Sequence, residues 1–317
     1  AYNVGRHAVR LAPGSAAVQQ RTGSIALRLG RVNEALDLLD RAVALDSRLA
    51  PAHINRGRAL LLLGRAEAAL AAANHARSLA PESAQPFLLA AEALIAMRRD
   101  QDAKPLLERA ITLENTLLAA HAALRDLLAR AGELGAALDV ASRVCVLAPL
   151  YAEHRMRWGE LLLEAGDLAK AEEQLQFALN LEPGKRGDTG KGSAAAAAAY
   201  ALLSRVRGRA GDWEQAISHA STAIEFAPAE GAYRALLAEA LEGSGDLAAA
   251  IAELENAAAR EPERADWQLR LGQFYRRTGD NMTALAYLRR AASNSGGADN
   301  SRALAMCLRA LDDLPAA

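Results

Sequence analysis

Residues 152–183 read AEHRMRWGELLLEAGDLAKAEEQLQFALNLEP. Apolar residues recur at helical spacing on both sides of Gly166-Asp167, so the stretch predicts two amphipathic helices joined by a tight turn. Gly159 falls in the first helix. Ala171 and Ala178 are small residues on the second, and Pro183 closes the unit.

The same marks return at 34-residue steps in both directions, with one wider step after residue 185. Turn glycines stand at Gly30, Gly64, Gly132, Gly166, Gly211, Gly245 and Gly279. The small residue of the second helix is Ala35, Ala69, Ala103, Ala137, Ala171, Ala216, Ala250 and Ala284. Seven residues further on, Ala or Val144 follows in every unit, and prolines close most units, as at Pro81, Pro149, Pro183, Pro228 and Pro262. A fixed period of this length is the mark of a solenoid in which each hairpin buries its apolar stripe against its neighbours.

Eight units share this pattern of small residues, turn glycine and closing proline, and they resemble the tetratricopeptide repeat family over nearly the whole chain. The resemblance implies an all-α fold, a right-handed superhelical solenoid of helix-turn-helix repeats. The predicted layout is the second helix of an incomplete repeat at 1–15, repeats one to five at 16–185 and a Gly-rich inserted loop at 186–196. Repeats six to eight follow at 197–295, then a capping helix at 296–317, all in one continuous solenoid. The missing first half of the leading repeat suggests a segment of a longer polypeptide.

Composition agrees. Of the 317 residues 51% are hydrophobic but only 4% aromatic, which suits helices packed through small side chains rather than a sheet. A net charge of −1 gives no global pull toward nucleic acid or acidic lipid. Cys145 and Cys307 are isolated on helical patterns and read as small buried apolar residues. Charged residues interrupt every apolar run, so no membrane span is expected. The compartment stays open between cytoplasm and periplasm for a soluble chain.

Local departures carry further expectations. In four turns Asp follows Gly, so that Asp can cap the second helix. The third turn is Arg98-Arg99-Asp100, without Gly, and Pro105 about one turn later should kink or delay its helix. Residues 184–193 are rich in Gly and charge, and Ala194–Ala199 should lengthen the next helix, capped by Ser193. Gly190-Lys191 has neither the spacing nor the following Ser or Thr of a phosphate loop. Leu304, Leu308 and Leu311 give the last helix an apolar face to cover the final unit.

Nothing points to catalysis. The six His are scattered, none forms HExxH or lies near a Cys, and His53 and His121 share one packing position in their units. Catalytic residues, metal ligands and cofactors are all expected to be none. In the eighth unit Arg270, Arg276, Arg277, Arg289 and Arg290 lie among Trp267, Phe274 and Tyr275. Trp267 and Phe274 are expected under the last helix, the Arg residues on a solvated face; nucleic acid is the lesser reading.

The resemblance implies that the first helices line a concave face. Three positions at i, i+4, i+7 share one side of each. The residues expected to form a peptide-binding groove there are Ile54, Arg58, Leu61, Leu88, Glu92, Ile95, Asp126, Met156, Glu160, Leu163, Arg205 and Glu239. An apolar strip beside Glu92, Asp126 and Glu160 suits a partner protein's peptide or helix bearing some Arg or Lys, with no small-molecule substrate. The Lys, Asn and Arg cluster with which chaperone-tail binders of this family clamp a carboxylate is replaced by Ile54, Leu88, Glu92 and Asp126. The expected role is a scaffold or adaptor for complex assembly. The alternatives are the recruitment region of a larger enzyme or exporter, and a permanent structural subunit of a multiprotein complex.

Overall fold

The computed structural model describes residues 2–181 and 194–294. The described residues form seventeen α-helices in two compact units, Ala1–Pro149 and Leu150–Ala317. Unit 1 holds α1 (Tyr2–Leu11) and four hairpins. These are α2 (Ala16–Arg28) with α3 (Val32–Leu45), α4 (Ala50–Leu62) with α5 (Ala66–Leu79), α6 (Ala84–Ala96) with α7 (Asp100–Leu113), and α8 (Leu118–Arg130) with α9 (Leu134–Leu147). Unit 2 holds α10 (Ala152–Ala165) with α11 (Leu168–Leu181), α12 (Ala194–Arg209) with α13 (Trp213–Phe226), α14 (Gly231–Ser244) with α15 (Leu247–Arg260), and α16 (Ala265–Arg277) with α17 (Asn281–Asn294).

Every second helix is 14 residues long. Both of its small positions are fully buried in all eight hairpins, from Ala35 and Ala42 to Ala284 and Ala291. Close approach is demanded from the first helix too. A Cβ built on Gly159 would lie 2.8 Å from Leu175 Cγ and 3.3 Å from the Ala171 carbonyl oxygen. Gly23 faces Leu39, and Gly272 faces Leu288, in the same way. Within unit 1, α2, α4, α6 and α8 also pack side by side, leaving the second helices on the other side; in unit 2 so do α10, α12 and α14.

The turns follow two recipes. Every turn glycine has a positive φ, between 72° and 93°. In the third hairpin Arg98 takes the same conformation at φ 60°, and the Arg99 N–H still closes the turn on the Leu94 carbonyl at 2.9 Å. Unit 2 then caps its second helices with Asp. The carboxylates of Asp167, Asp212, Asp246 and Asp280 accept the backbone N–H three residues on, at 3.0–3.2 Å. In unit 1 those positions are Arg31, Arg65, Arg99 and Glu133, and none makes a side-chain cap.

One expectation needs correction. Pro105 does not delay α7, which starts at Asp100 in step with the other second helices and keeps their length. Pro105 and Gln101 are both exposed, so water can take the carbonyl that the proline leaves free. Ala194–Ala199 open a 16-residue α12, as their helix propensity predicts, so the helix takes in the last three residues of the stretch 186–196 assigned to the loop. Trp267 and Phe274 are buried with Ala238, Leu254, Ala257 and Ala258 of the preceding hairpin, while the helix expected over them lies outside the described residues. Pro183, the rest of the inserted loop, the Ser193 cap, Cys307 and the expected capping helix lie outside the described residues.

Two substitutions probe this packing. Gly159→Ala should destabilise the chain by about 1–3 kcal/mol through overpacking against Leu175, less a few tenths recovered from helix propensity. Arg98→Gly should stabilise it by about 0.5–1 kcal/mol, because left-handed backbone strain outweighs the entropy of the glycine in the unfolded chain. Urea unfolding midpoints followed by circular dichroism check both signs.

Candidate functional site

The expected groove residues fall on the shared side of neighbouring first helices in each unit. In unit 1, Ile54, Arg58 and Leu61 lie on α4, Leu88, Glu92 and Ile95 on α6, and Asp126 on α8. Ile54 and Leu61 are partly buried against Ala73, Leu89 and Ala90. Ile95 is half-exposed, but Leu88 is only 4% exposed and offers almost no surface. Arg58 is exposed, and its guanidinium donates to the Gln85 amide oxygen.

The carboxylates differ in what they have left to give. Asp126 accepts two bonds from Arg125, at 2.9 and 3.1 Å, which neutralises it within the chain. Arg125 itself is 5% exposed, and its remaining Nη1 is buried without a hydrogen-bond partner. It stands at the register position that Gly23, Gly57 and Gly159 occupy elsewhere, and sequence reading passed over it. The 34-residue spacing would have shown a large cation in a small-residue slot. Glu92 has no hydrogen bond or ion pair among the described residues. Burial pushes its carboxyl above the usual range, and nearby Arg58 offsets only part of that.

In unit 2, Met156, Glu160 and Leu163 lie on α10, Arg205 on α12 and Glu239 on α14. Met156 is half-exposed, while Leu163 is 2% exposed. Glu160 accepts from Arg157 at 2.5 Å. Glu239 is exposed and lies 3.6 Å from Arg270, whose other nitrogen donates to Glu242 at 2.8 Å. Arg277 also bonds Glu242. Between α12 and α14 is a pocket of about 210 Å³ lined by Arg205, Gly208, Arg209, Trp213, Leu236 and Glu239, together with Ser204 and Ala240. Sequence reading put Arg205 and Glu239 on the expected first-helix groove but missed Arg209 and Trp213, because Trp213 belongs to the second helix.

The eighth hairpin spends its aromatic surface internally. Trp267 and Phe274 are buried, and Tyr275 and Tyr287 stack with centroids 5.6 Å apart while both hydroxyls donate to Glu255. Each tyrosine thus gives one ring face to the other. His53 and His121 are buried too, each bonded through Nε2 to the carbonyl six residues earlier, Ser47 at 2.9 Å and Asn115 at 3.0 Å. Gln19 and Gln268 make the same bond from the same position, to Pro13 and Pro262. The role is to tie down the turn between hairpins. Among the described residues no three His, Cys, Asp or Glu side chains could hold a metal ion, and no helix is long and apolar enough to cross a membrane.

A tetratricopeptide repeat model matches residues 21–84, 202–258 and 235–301, together more than half of the chain. The chain belongs to the tetratricopeptide repeat family. No curated protein matches it significantly. Among solved structures, a tetratricopeptide repeat protein from Parabacteroides merdae ATCC 43184 superposes with a TM-score of 0.65 at 14% identity, over 82% of this chain and 98% of that one. PilF of Pseudomonas aeruginosa gives 0.59 at 16% identity, over 71% and 97%. The APC/C hetero-tetramer Cut9–Hcn1 gives 0.58 at 16% identity, over 94% of this chain but only 56% of that one. At these identities the likeness is one of fold. Tetratricopeptide repeat proteins are scaffolds for protein–protein interaction and complex assembly, and the family is generally non-catalytic.

The turn-tying histidine yields a pH test. The His53 ring lies 4.2 Å from His75, whose Nε2 reaches the same Ser47 carbonyl at 3.2 Å. Burial lowers the His53 pKa, the Ser47 bond opposes this, and His75 lowers it further. A His with a lowered folded pKa costs stability in acid: below about pH 6.5 the unfolded chain takes up a proton that folded His53 does not. His53→Gln keeps the bond, as Gln19 and Gln268 do, and should remove this share of the acid sensitivity. Thermal midpoints at about pH 7.5 and pH 5.5 should draw closer in the variant.

Proposed function

We propose that the chain is a non-catalytic adaptor that holds a peptide or helix of a partner protein on its first-helix faces, for complex assembly. The observation that carries this is the surroundings of Glu92. A carboxylate without an ion pair among the described residues sits partly desolvated on α6, on the same side as the half-exposed Ile95 and beside the α4 positions Ile54, Arg58 and Leu61. Burying a charge without a partner is unfavourable, and an incoming Lys or Arg relieves it. Ile54, Leu61 and Ile95 then supply apolar contact on either side, the combination that helix-in-groove and extended-peptide recognition use. Asp126 and Glu160, already paired within the chain, contribute shape more than charge.

A preformed face also limits the ordering that binding requires, because the helices beneath are locked by fully buried alanines. Peptides selected from a displayed random library against the full chain should carry Lys or Arg between apolar residues. Glu92→Gln should weaken them by about tenfold, in line with loss of a charge-assisted hydrogen bond. Affinity for the unaltered chain should fall as pH drops toward the raised Glu92 pKa, since protonation removes the attracting charge. In the absence of peptide, Glu92→Gln should raise stability at neutral pH, because a carboxyl with a raised folded pKa destabilises once it ionises. Selected peptides whose affinity ignores both Glu92→Gln and pH would sink this reading.

A further inference from the structure

The pocket between α12 and α14 is built by a tryptophan from outside the first-helix face. Trp213 opens α13, and its indole wedges between two glycines. A Cβ on Gly243 would lie 2.4 Å from the ring and one on Gly208 3.3 Å from it. A larger residue at Gly243 could not share this place with the ring, and one at Gly208 would press on it. The result is an aromatic wall with Arg205 and Arg209 on the α12 side and Glu239 on the α14 side.

The charges in this pocket are unequally engaged. Glu239 lies 3.6 Å from Arg270, within a network where Arg270 and Arg277 both reach Glu242. Arg209 donates one nitrogen to the Leu163 carbonyl at 2.5 Å, which anchors it against α10 while keeping its positive charge. Arg205 is exposed and has no hydrogen bond or ion pair among the described residues. The pocket therefore presents one uncommitted guanidinium and a second fixed cation beside an indole, while its carboxylate is already compensated. Its volume of about 210 Å³ is below the roughly 300–1,000 Å³ of small-molecule sites and fits a single side chain of a longer ligand.

We infer that this pocket is a second anchor point, which takes an Asp or Glu side chain of an extended partner segment followed by an apolar residue. The carboxylate pairs with Arg205 in the two-pronged manner guanidinium favours, and the apolar residue lies on Trp213. Trp and Arg are also the residue types that carry most binding energy at protein interfaces. The inference rests on the adaptor reading and gives it a sign: unit 1 selects a basic residue through Glu92, and unit 2 an acidic one through Arg205.

The test uses the full chain, labelled with ¹⁵N, and the indole N–H resonance of Trp213 assigned with Trp213→Phe. The probes are capped peptides of Gly and Ser around a central Glu-Leu, with Gln-Leu and Lys-Leu counterparts. The Glu peptide should shift the Trp213 resonance and bind about tenfold more tightly than the Gln peptide, with the difference shrinking as salt is added. Arg205→Gln should erase that preference, and Arg205→Glu should turn it toward the Lys peptide. Arg205 is exposed, so both variants should keep the fold, which circular dichroism verifies. Equal binding of the three peptides, an unmoved Trp213 resonance, or a larger shift from a single-stranded oligonucleotide than from the Glu peptide would overturn the inference. The same samples separate the two readings. If library-selected basic peptides still respond to Glu92→Gln, only the pocket falls; if they do not, the adaptor reading falls with it.

Discussion

Close approach between paired helices is the constraint on which this structure depends. Each second helix brings two residues to zero exposure against its partner, and fifteen of those sixteen residues are Ala, with Val144 the exception. Where the first helix answers with glycine, as at Gly23, Gly159 and Gly272, a leucine sixteen residues on moves into the space its missing Cβ leaves. The core is therefore thin and repeated, built from short contacts of many small groups rather than from a few large side chains. Such a core tolerates an exception only locally. Arg125 stands in the glycine slot of the fourth hairpin, where the residue sixteen places on is Ala141 rather than leucine, and it carries its charge outward to Asp126.

The two units solve the same turn with different chemistry. Unit 2 follows each turn glycine with an aspartate that accepts a free N–H at the start of the second helix. Unit 1 places arginine or glutamate there and leaves that N–H without a side-chain cap, and in one turn it forces Arg98 into a left-handed conformation. Both units also tie hairpins together through buried side chains that reach back to the preceding turn, Gln19, His53 and His121 in unit 1 and Gln268 in unit 2.

These differences bear on the binding faces because the charges there are set by neighbours. Two of the three acidic positions expected to attract a basic partner are already satisfied, Asp126 by the adjacent Arg125 and Glu160 by Arg157 one turn back. Glu92 has no ion pair among the described residues, and nearby Arg58 offsets only part of the effect of its burial. On α14 the carboxylates of Glu239 and Glu242 are drawn toward Arg270 and Arg277 of α16, so the free charge passes to Arg205.

The positions of the helices, the turn glycines and the buried alanines could all be read from the chain, because each depends on spacing and local conformation that repeat every 34 residues. So could which residues share one side of each first helix. What spacing does not contain is which neighbour reaches which charge. Leu88 and Leu163 proved to be core because the adjoining helices cover them, and α7 keeps its start and length because Pro105 and Gln101 lie on its exposed side. The Trp213 pocket needed two glycines on two different helices to meet one indole from a third. Only side chains packed across hairpins could bring those three together, since no period in the sequence relates them.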